Sequence, residues 1–554
     1  MTAATTDDST AITVETTRLS LLERCICYLA TVVGCATVVY WWWGRHSLWE
    51  DEIIAITHAN QPLPSFFIEV LRNDIHPPLY FLQLKLWRDI GFGADAGLLL
   101  NSMVWAMLSL VTLFLITRTV YGKRAALYAT AVFAILPMFA YGATNLRMYG
   151  LVPGLALLVW YVNRQWFLRD KKTVRSLSLV VLLELVLAYM HAIAFFFVAF
   201  IALAALLDVL WQRRAPGTVG SLAAPARDPK IGTWLLSQIF AGICMLPLVG
   251  SGIVRGSDAS APASFFAMLT APGSLIAGWG PDGITSVRVA GLLIFLVLAA
   301  AGLRNRSTRM LVAVVPVGAL LVAIVISMGF KPMFKTPVFA ANLLPFLALG
   351  AGVGAAACNA SWLRRGVLAC LLLLCVAALP LARYQATTDA YLRAGQYMNR
   401  HAQAGDVVVI PSVSVYWGVM RYVVGGDWGQ PLAIMPLQHN PQWRSLIEKM
   451  GPKVATALHL YPQTDQVVHA GVTYVIGPDA TRQTVAAKRV WLINKDNYPV
   501  DAVLGTAFTR RSVIKPVQGD VLVSFFEADP AGSTTAQHPF NAAKSKNIDI
   551  PVDQ

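Results

Sequence analysis

Residues 21–52 read LLERCICYLATVVGCATVVYWWWGRHSLWEDE. An apolar run from Leu21 to Trp43 is long enough to cross about 30 Å of hydrocarbon, and three adjacent carboxylates, Glu50, Asp51 and Glu52, follow it closely. The run has no basic region before it: residues 1–20 are polar and Thr-rich. It is expected to stay as an anchor and not to be cleaved as a signal peptide.

The same texture continues for most of the chain. Of 554 residues 56% are hydrophobic and only 13% charged, with a mean hydropathy of +0.57. Soluble domains carry about 25% charged residues, so the solvent for most of this chain is a bilayer. Further spans are expected at about 95–117, 125–144, 148–167, 176–191, 193–212, 233–254, 288–303, 309–329, 338–357 and 366–384. The stretch from Pro77 to Trp87 is too short to cross and carries Lys85, Arg88 and Asp89, which suits a helix lying at the interface. Residues 45–93 then form one large loop.

The fold class is therefore mainly α, a polytopic membrane protein of about eleven spans with a soluble α/β domain at its C-terminal end. Its parts are a cytoplasmic segment (1–20), a membrane domain (21–384), an extracytoplasmic α/β domain (385–530) and a disordered tail (531–554). In the α/β domain a helix is expected over 387–404 and another over 442–450. Strands are expected at 406–410, 472–476, 490–493 and 521–526. All seven cysteines fall in or beside spans, so none can staple the soluble domain.

The net charge of +14 has a membrane explanation. Arg118, Lys123 and Arg124 share one short loop, and Arg164, Arg169, Lys171, Lys172 and Arg175 another. Arg213, Arg214, Arg227 and Lys230 make a third, Arg304, Arg306 and Arg309 a fourth, Arg364 and Arg365 a fifth. With eleven spans and the N-terminus inside, all five loops are cytoplasmic, as the positive-inside rule requires. No nucleic-acid-binding motif is present, and nucleic acid is not an expected partner. The acidic loop and the C-terminal domain fall on the outer face, in a bacterium the periplasmic face of the inner membrane.

Candidate chemistry gathers at that face. Three adjacent carboxylates repel one another and lose hydration at a membrane surface, which suits one of them to proton transfer; the plainer alternative is an acidic cap anchored by Trp49. Asp74 and His76 precede Pro77 and Pro78, whose rings fix the start of the interfacial helix. A histidine beside carboxylates can contact phosphate or a divalent metal, and metal dependence stays open. Arg147 and Tyr149 open a span, His191 lies between two spans, and Lys331 and Lys335 flank Pro332. Basic groups at outer span ends run against the orientation bias; a lipid phosphate explains them, as does snorkelling to headgroups.

In the order and spacing of four pieces the chain resembles the polyprenyl-phosphate-dependent glycosyltransferases of the GT-C fold, in the group of the protein O-mannosyltransferases and the lipid A aminoarabinose transferase. The pieces are Trp49-Glu-Asp-Glu52, Asp74-x-His-Pro-Pro-Leu-Tyr-Phe81, Asn145-Leu-Arg-Met-Tyr149 and Tyr189-Met-His191. The resemblance covers about residues 20–200. It implies a lipid-phosphate sugar donor, an inverting mechanism and a site at the outer membrane surface; the acceptor stays open among a glycan, a glycolipid or lipid, and a protein. It also implies Asp51 as catalytic base with Glu52 beside it, and Arg147 and Tyr149 as the match of the family's Arg-x-Tyr segment; with His191, Lys331 and Lys335, read from their places at outer span ends, these are the candidates for the donor phosphate. One departure stands out: in Phe339-Ala-Ala-Asn-Leu-Leu-Pro345 an alanine, Ala341, holds the place of a late arginine, which Lys331 or Lys335 could replace. Other readings are a transporter or flippase of lipid-linked saccharides, marked by ionisable residues deep within spans that the candidates at span ends do not supply, and a membrane scaffold.

Overall fold

The structure is a computed structural model that describes residues 20–45, 47–63, 66–67, 70, 76–168, 173–191, 193–213, 229–255, 268–277, 285–329, 336–360, 364–365, 390–410, 413–424, 466–476, 489–495, 508–514 and 521–528. It is a helical bundle joined to a small sheet. The first helix, α1 (Leu21–Trp43), begins at Ser20, whose side chain accepts from the Glu23 N–H while Glu23 reaches back to the Ser20 N–H. Next come α2 (Glu50–Ala59) and α3 (Pro78–Asp89), the latter opening on two prolines as the sequence indicates. Helices α4 (Asp95–Tyr121), α5 (Lys123–Ala134), α6 (Pro137–Thr144), α7 (Val152–Leu168), α8 (Val174–Met190), α9 (Ala194–Arg213) and α10 (Pro229–Arg255) follow.

A short helix α11 (Ala271–Ala277) and a long one, α12 (Thr285–Arg304), precede α13, a composite of Arg309–Val312, a π-helical stretch Ala313–Ala319 and Leu320–Gly329. Pro316 lies inside the π stretch; a proline lacks the N–H of the regular ladder, and a wider turn accommodates its ring. The last helix of the bundle is α14 (Thr336–Ala357).

Among the described residues six helices are long and apolar enough to cross a membrane, or seven if α5 and α6 count as one span. These two bend by 68° at Ile135-Leu136, ahead of Pro137, so the span expected over 125–144 is broken. The expected spans at 148–167, 176–191 and 288–303 are also helical, and that at 366–384 lies outside the described residues. The protein is a multi-pass membrane protein.

Helix α14 is the axis of the bundle: 89% of its apolar window is buried, against 28% for α1 and 33% for the outer span of α10. Small residues let its neighbours approach. A Cβ on Gly352 would sit 2.5 Å from the Ala129 nitrogen of α5, and one on Gly354 would sit 2.3 Å from the Ala301 oxygen of α12. In lipid, where burial of apolar surface gives no extra drive, such backbone contact supplies the packing.

The sequence reading placed no ionisable group deep in a span. Glu184 overturns that: it sits within α8, fully buried, and accepts hydrogen bonds from Asn163 Nδ2 of α7 (2.9 Å) and Gln238 Nε2 of α10 (3.0 Å). One carboxylate does not spoil a Leu-rich hydropathy window, which is why it passed unnoticed. Trp234 donates to Asn163 Oδ1 at 2.8 Å, so the cluster ties three helices together as interhelical hydrogen bonds do.

After the bundle, α15 (Ala390–His401) and α16 (Val413–Val424) pack on a six-stranded sheet of order β2-β3-β1-β4-β6-β5. Its strands are β1 (Val407–Ile410), β2 (Gln466–His469), β3 (Val472–Ile476), β4 (Arg489–Lys495), β5 (Phe508–Ile514) and β6 (Val521–Ala528). Strand β1 runs parallel to β3 and β4 and is buried throughout, as an unbroken Val/Ile run in a central strand should be. The sequence reading missed β2 and β5. Strand β2 is four residues long and hairpins into β3 through Ala470 and Gly471, both at positive φ. Strand β5 carries two arginines at the sheet edge and a register shift between Arg510 and Ser512. The helix expected over 442–450 and the tail 531–554 lie outside the described residues.

Contacts sort the loops onto two ends. At one end Glu23 pairs with Arg364, whose guanidinium also reaches Tyr128, Tyr121 donates to the Ser307 carbonyl, and Arg164 pairs with Asp208. At the other lie Arg45, Thr144, Leu146, Asp95 and α16. Along α1, Glu23 and Arg45 are about 33 Å apart at 1.5 Å per residue. Replacing Gly352 with Leu should force α14 away from α5 and cost about 1–3 kcal/mol of stability, as overpacking does. Thermal unfolding of the protein in detergent checks this; an unchanged midpoint would contradict the close approach.

Candidate active site

The site grows from the turn between α1 and α2. Glu52 is fully buried, and its two oxygens take four donors: Arg45 on each, the Leu146 N–H at 2.6 Å and the Trp49 N–H at 3.1 Å. The bond from Trp49 also caps the first turn of α2. Arg45 donates as well to the Thr144 carbonyl at the end of α6. This pair sews the acidic turn to the segment 144–147, and the Trp49 indole adds a bond to Asn145 Oδ1 at 2.8 Å.

The crowding of three carboxylates expected from the sequence is thus relieved by a cation. Arg45 was not singled out there, although it follows a span on the face where basic residues are scarce, the same signal that marked Arg147. With Glu52 saturated, Asp51 is different. It is half-buried, and its carboxylate has no hydrogen bond or ion pair among the described residues.

Arg147 is 5% exposed. Its Nη1 donates to the Asp51 carbonyl at 3.0 Å, and its Nη2 lies 3.2 Å from Nε2 of His76. A guanidinium can only donate, so that histidine nitrogen accepts and carries no proton. The His76 ring stands edge-on to His191, centroids 4.8 Å apart at 77°. His191 follows the last turn of α8, and its Nδ1 accepts the Ile193 N–H at 3.1 Å. The neutral His191 ring therefore carries its proton on Nε2. Tyr149, in a 3-10 turn before α7, stacks on Tyr141, and both Arg147 and Asp51 lie within its electrostatic reach.

The structure thus brings Asp51, Glu52, His76, Arg147, Tyr149 and His191 to one end of the bundle. Asp74, Lys331 and Lys335 lie outside the described residues. So do residues 256–267 and 278–284; helix α11 between them packs on α6, α12 and α14. Ala341 lines a small apolar cavity with Tyr149, Met138 and Leu344, so the position that departs from the family pattern faces the Tyr149 side of the site. Among the described residues no group of three or more His, Cys, Asp and Glu could hold a metal ion.

The sequence matches no family model and no curated protein. The structure is similar to the crystal structure of ArnT from Cupriavidus metallidurans bound to undecaprenyl phosphate, at 12% identity and a TM-score of 0.53 over 90% of this chain and 97% of that one. The apo form of the same ArnT aligns at 13% identity and the same TM-score, over 89% and 97%. The chain has the GT-C fold. An oligosaccharyltransferase from Archaeoglobus fulgidus in its apo form aligns at 11% identity over 93% of this chain and 76% of that one, at a TM-score of 0.45 that adds no weight.

Within the GT-C fold seen here, the two neighbouring carboxylates should behave differently on substitution. Glu52→Gln breaks a buried ion pair, a loss of about 3–5 kcal/mol, and should lower the thermal midpoint of the purified protein sharply. Asp51→Asn should leave that midpoint near wild type. Equal midpoints for the two variants would contradict the division of labour.

Proposed function

We propose that the protein is an inverting glycosyltransferase that moves a sugar from a polyprenyl-phosphate donor to a hydroxyl of a glycan, glycolipid or lipid at the outer face of the membrane. One observation carries this reading: a carboxylate without a partner among the described residues, Asp51, sits on the same turn whose carbonyl binds the buried Arg147 guanidinium. Base and phosphate-binding cation are thereby held side by side.

In the proposed reaction Asp51 takes the proton of the acceptor hydroxyl as the acceptor oxygen bonds to the anomeric carbon. The bond from that carbon to the phosphate oxygen breaks, and the lipid phosphate leaves with the electron pair. Such a leaving group needs cationic and N–H donors aimed at its oxygens and no acid. Arg147, His191 and the Tyr149 hydroxyl are the donors proposed for this role, with Lys331 and Lys335, outside the described residues, as further candidates. Glu52 acts through the fold of the turn. The ArnT neighbour is a structure with undecaprenyl phosphate, which is the donor chemistry proposed here.

Sidedness follows from charge. Arg118, Lys123, Arg124, Arg304, Arg306, Arg309, Arg364 and Arg365 belong to the Glu23 end of the bundle, which the positive-inside rule assigns to the cytoplasm. The Asp51 end then faces the periplasm of a bacterial inner membrane.

Asp51→Asn should lower transfer from a radiolabelled polyprenyl-phosphate sugar by about 10²–10⁴-fold, the range of a lost general base, with the protein still present in the membrane at normal level. Near-normal turnover would remove Asp51 from the mechanism. Arg147→Ala should weaken binding of the lipid donor more than of the acceptor, and the reverse order would count against its phosphate role.

A further inference from the structure

The segment between α1 and α2 is held from above as well as from below. Tyr422, on α16 of the C-terminal sheet domain, accepts the Leu48 N–H at 2.7 Å and donates to Asp95 Oδ2 at 3.0 Å. Its neighbour Arg421 forms an ion pair with the same Asp95, at the first residue of α4. Leu48 is fully buried and lies three residues before Asp51. Tyr422, in a domain more than 320 positions away in sequence, thus grips the peptide from which the acidic helix starts, and Arg421 joins it on Asp95 at the start of α4.

The grip has a stiff mount. A Cβ on Gly395 would sit 2.6 Å from that of Tyr422, and one on Gly418 would sit 2.4 Å from the Tyr391 ring, so α15 and α16 touch closely at both places. Asn399 Nδ2 of α15 donates to the Tyr422 and Val423 carbonyls at 3.3 and 3.1 Å, closing the end of α16. Burial, and then Asp95, push the Tyr422 hydroxyl above the ordinary tyrosine range, so it stays protonated and can donate and accept at once.

We infer that Tyr422 is a positioning residue for Asp51, and that the C-terminal domain is thereby part of the catalytic unit. The inference rests on the glycosyl-transfer reading above. It follows from the geometry of the turn: Glu52, the Trp49 indole and the Asp51 carbonyl are held on the bundle side by Arg45, Leu146, Asn145 and Arg147, while the segment that leads into them is held at the Leu48 N–H by Tyr422 of the C-terminal domain. Loss of the Tyr422 bond loosens the start of α2, and with it the Asp51 carboxylate. A reacting group displaced by about 1 Å can lose about 100-fold in rate.

The test uses the full chain in liposomes and the variant Tyr422→Phe, which keeps the ring and removes both hydrogen bonds. Hydrogen exchange followed by mass spectrometry should rise in peptides covering residues 47–56 and stay unchanged in β1. In the transfer assay kcat should fall about 10- to 100-fold, with the KM for the polyprenyl-phosphate sugar within a factor of about two. Arg421→Lys, which keeps a cation for Asp95, should retain most of the rate. Unchanged exchange over 47–56, or faster exchange with unaltered kcat, overturns the inference, as does a loss expressed wholly in KM. Absence of transfer by the wild-type protein would instead overturn the glycosyl-transfer reading, because the exchange measurement detects the grip without turnover.

Discussion

The acidic end of this protein depends on one buried ion pair. Arg45 leaves the last turn of the first span, and Glu52 sits in the first turn of the next helix. Two charges taken out of water are costly unless every donor and acceptor is met, and here the Glu52 oxygens also take the Leu146 and Trp49 N–H groups. The pair is thus a joint: it fixes the angle between α1 and α2 and ties both to the end of α6. Everything chemically notable at this end is attached to that joint, from the Trp49–Asn145 bond to the Arg147 grip on the Asp51 carbonyl.

Saturating Glu52 sets Asp51 apart. Two carboxylates adjacent in sequence, on one helical turn, have opposite surroundings, one with four donors and one with none among the described residues. An acid–base site needs such asymmetry, because a carboxylate already committed to a guanidinium has no lone pair to spare for an incoming proton. The histidines beside it are similarly committed: one accepts from Arg147, the other from the Ile193 N–H.

Much of this was readable from the residues, for reasons that differ by element. Span α1 and helix α3 stand out because apolar length and proline placement are local properties. Strands β1 and β3 do so because uninterrupted Val/Ile runs have few other uses. The site pieces around Asp51, His76, Arg147 and His191 were legible as ionisable groups at span ends. What was not legible depends on pairing across sequence distance. Nothing local says that Glu52 receives the Leu146 N–H, or that Tyr422 reaches Leu48. Glu184 was hidden by the apolar residues around it, and the broken span at Ile135 by a hydropathy that stays high through the bend. Short β2 and the arginine-bearing edge strand β5 lack the alternation on which strand reading relies.

The central claim is that the Asp51 end of the bundle binds a polyprenyl phosphate beside a base. The most direct measurement is an electron cryo-microscopy structure of the full chain in lipid nanodiscs with undecaprenyl phosphate. The account predicts phosphate density within hydrogen-bonding distance of the Arg147 guanidinium, a few ångströms from the Asp51 carboxylate, with the isoprenoid running into the membrane. Phosphate density at the opposite end, against Arg364 or Arg309, with none at Arg147, would contradict it.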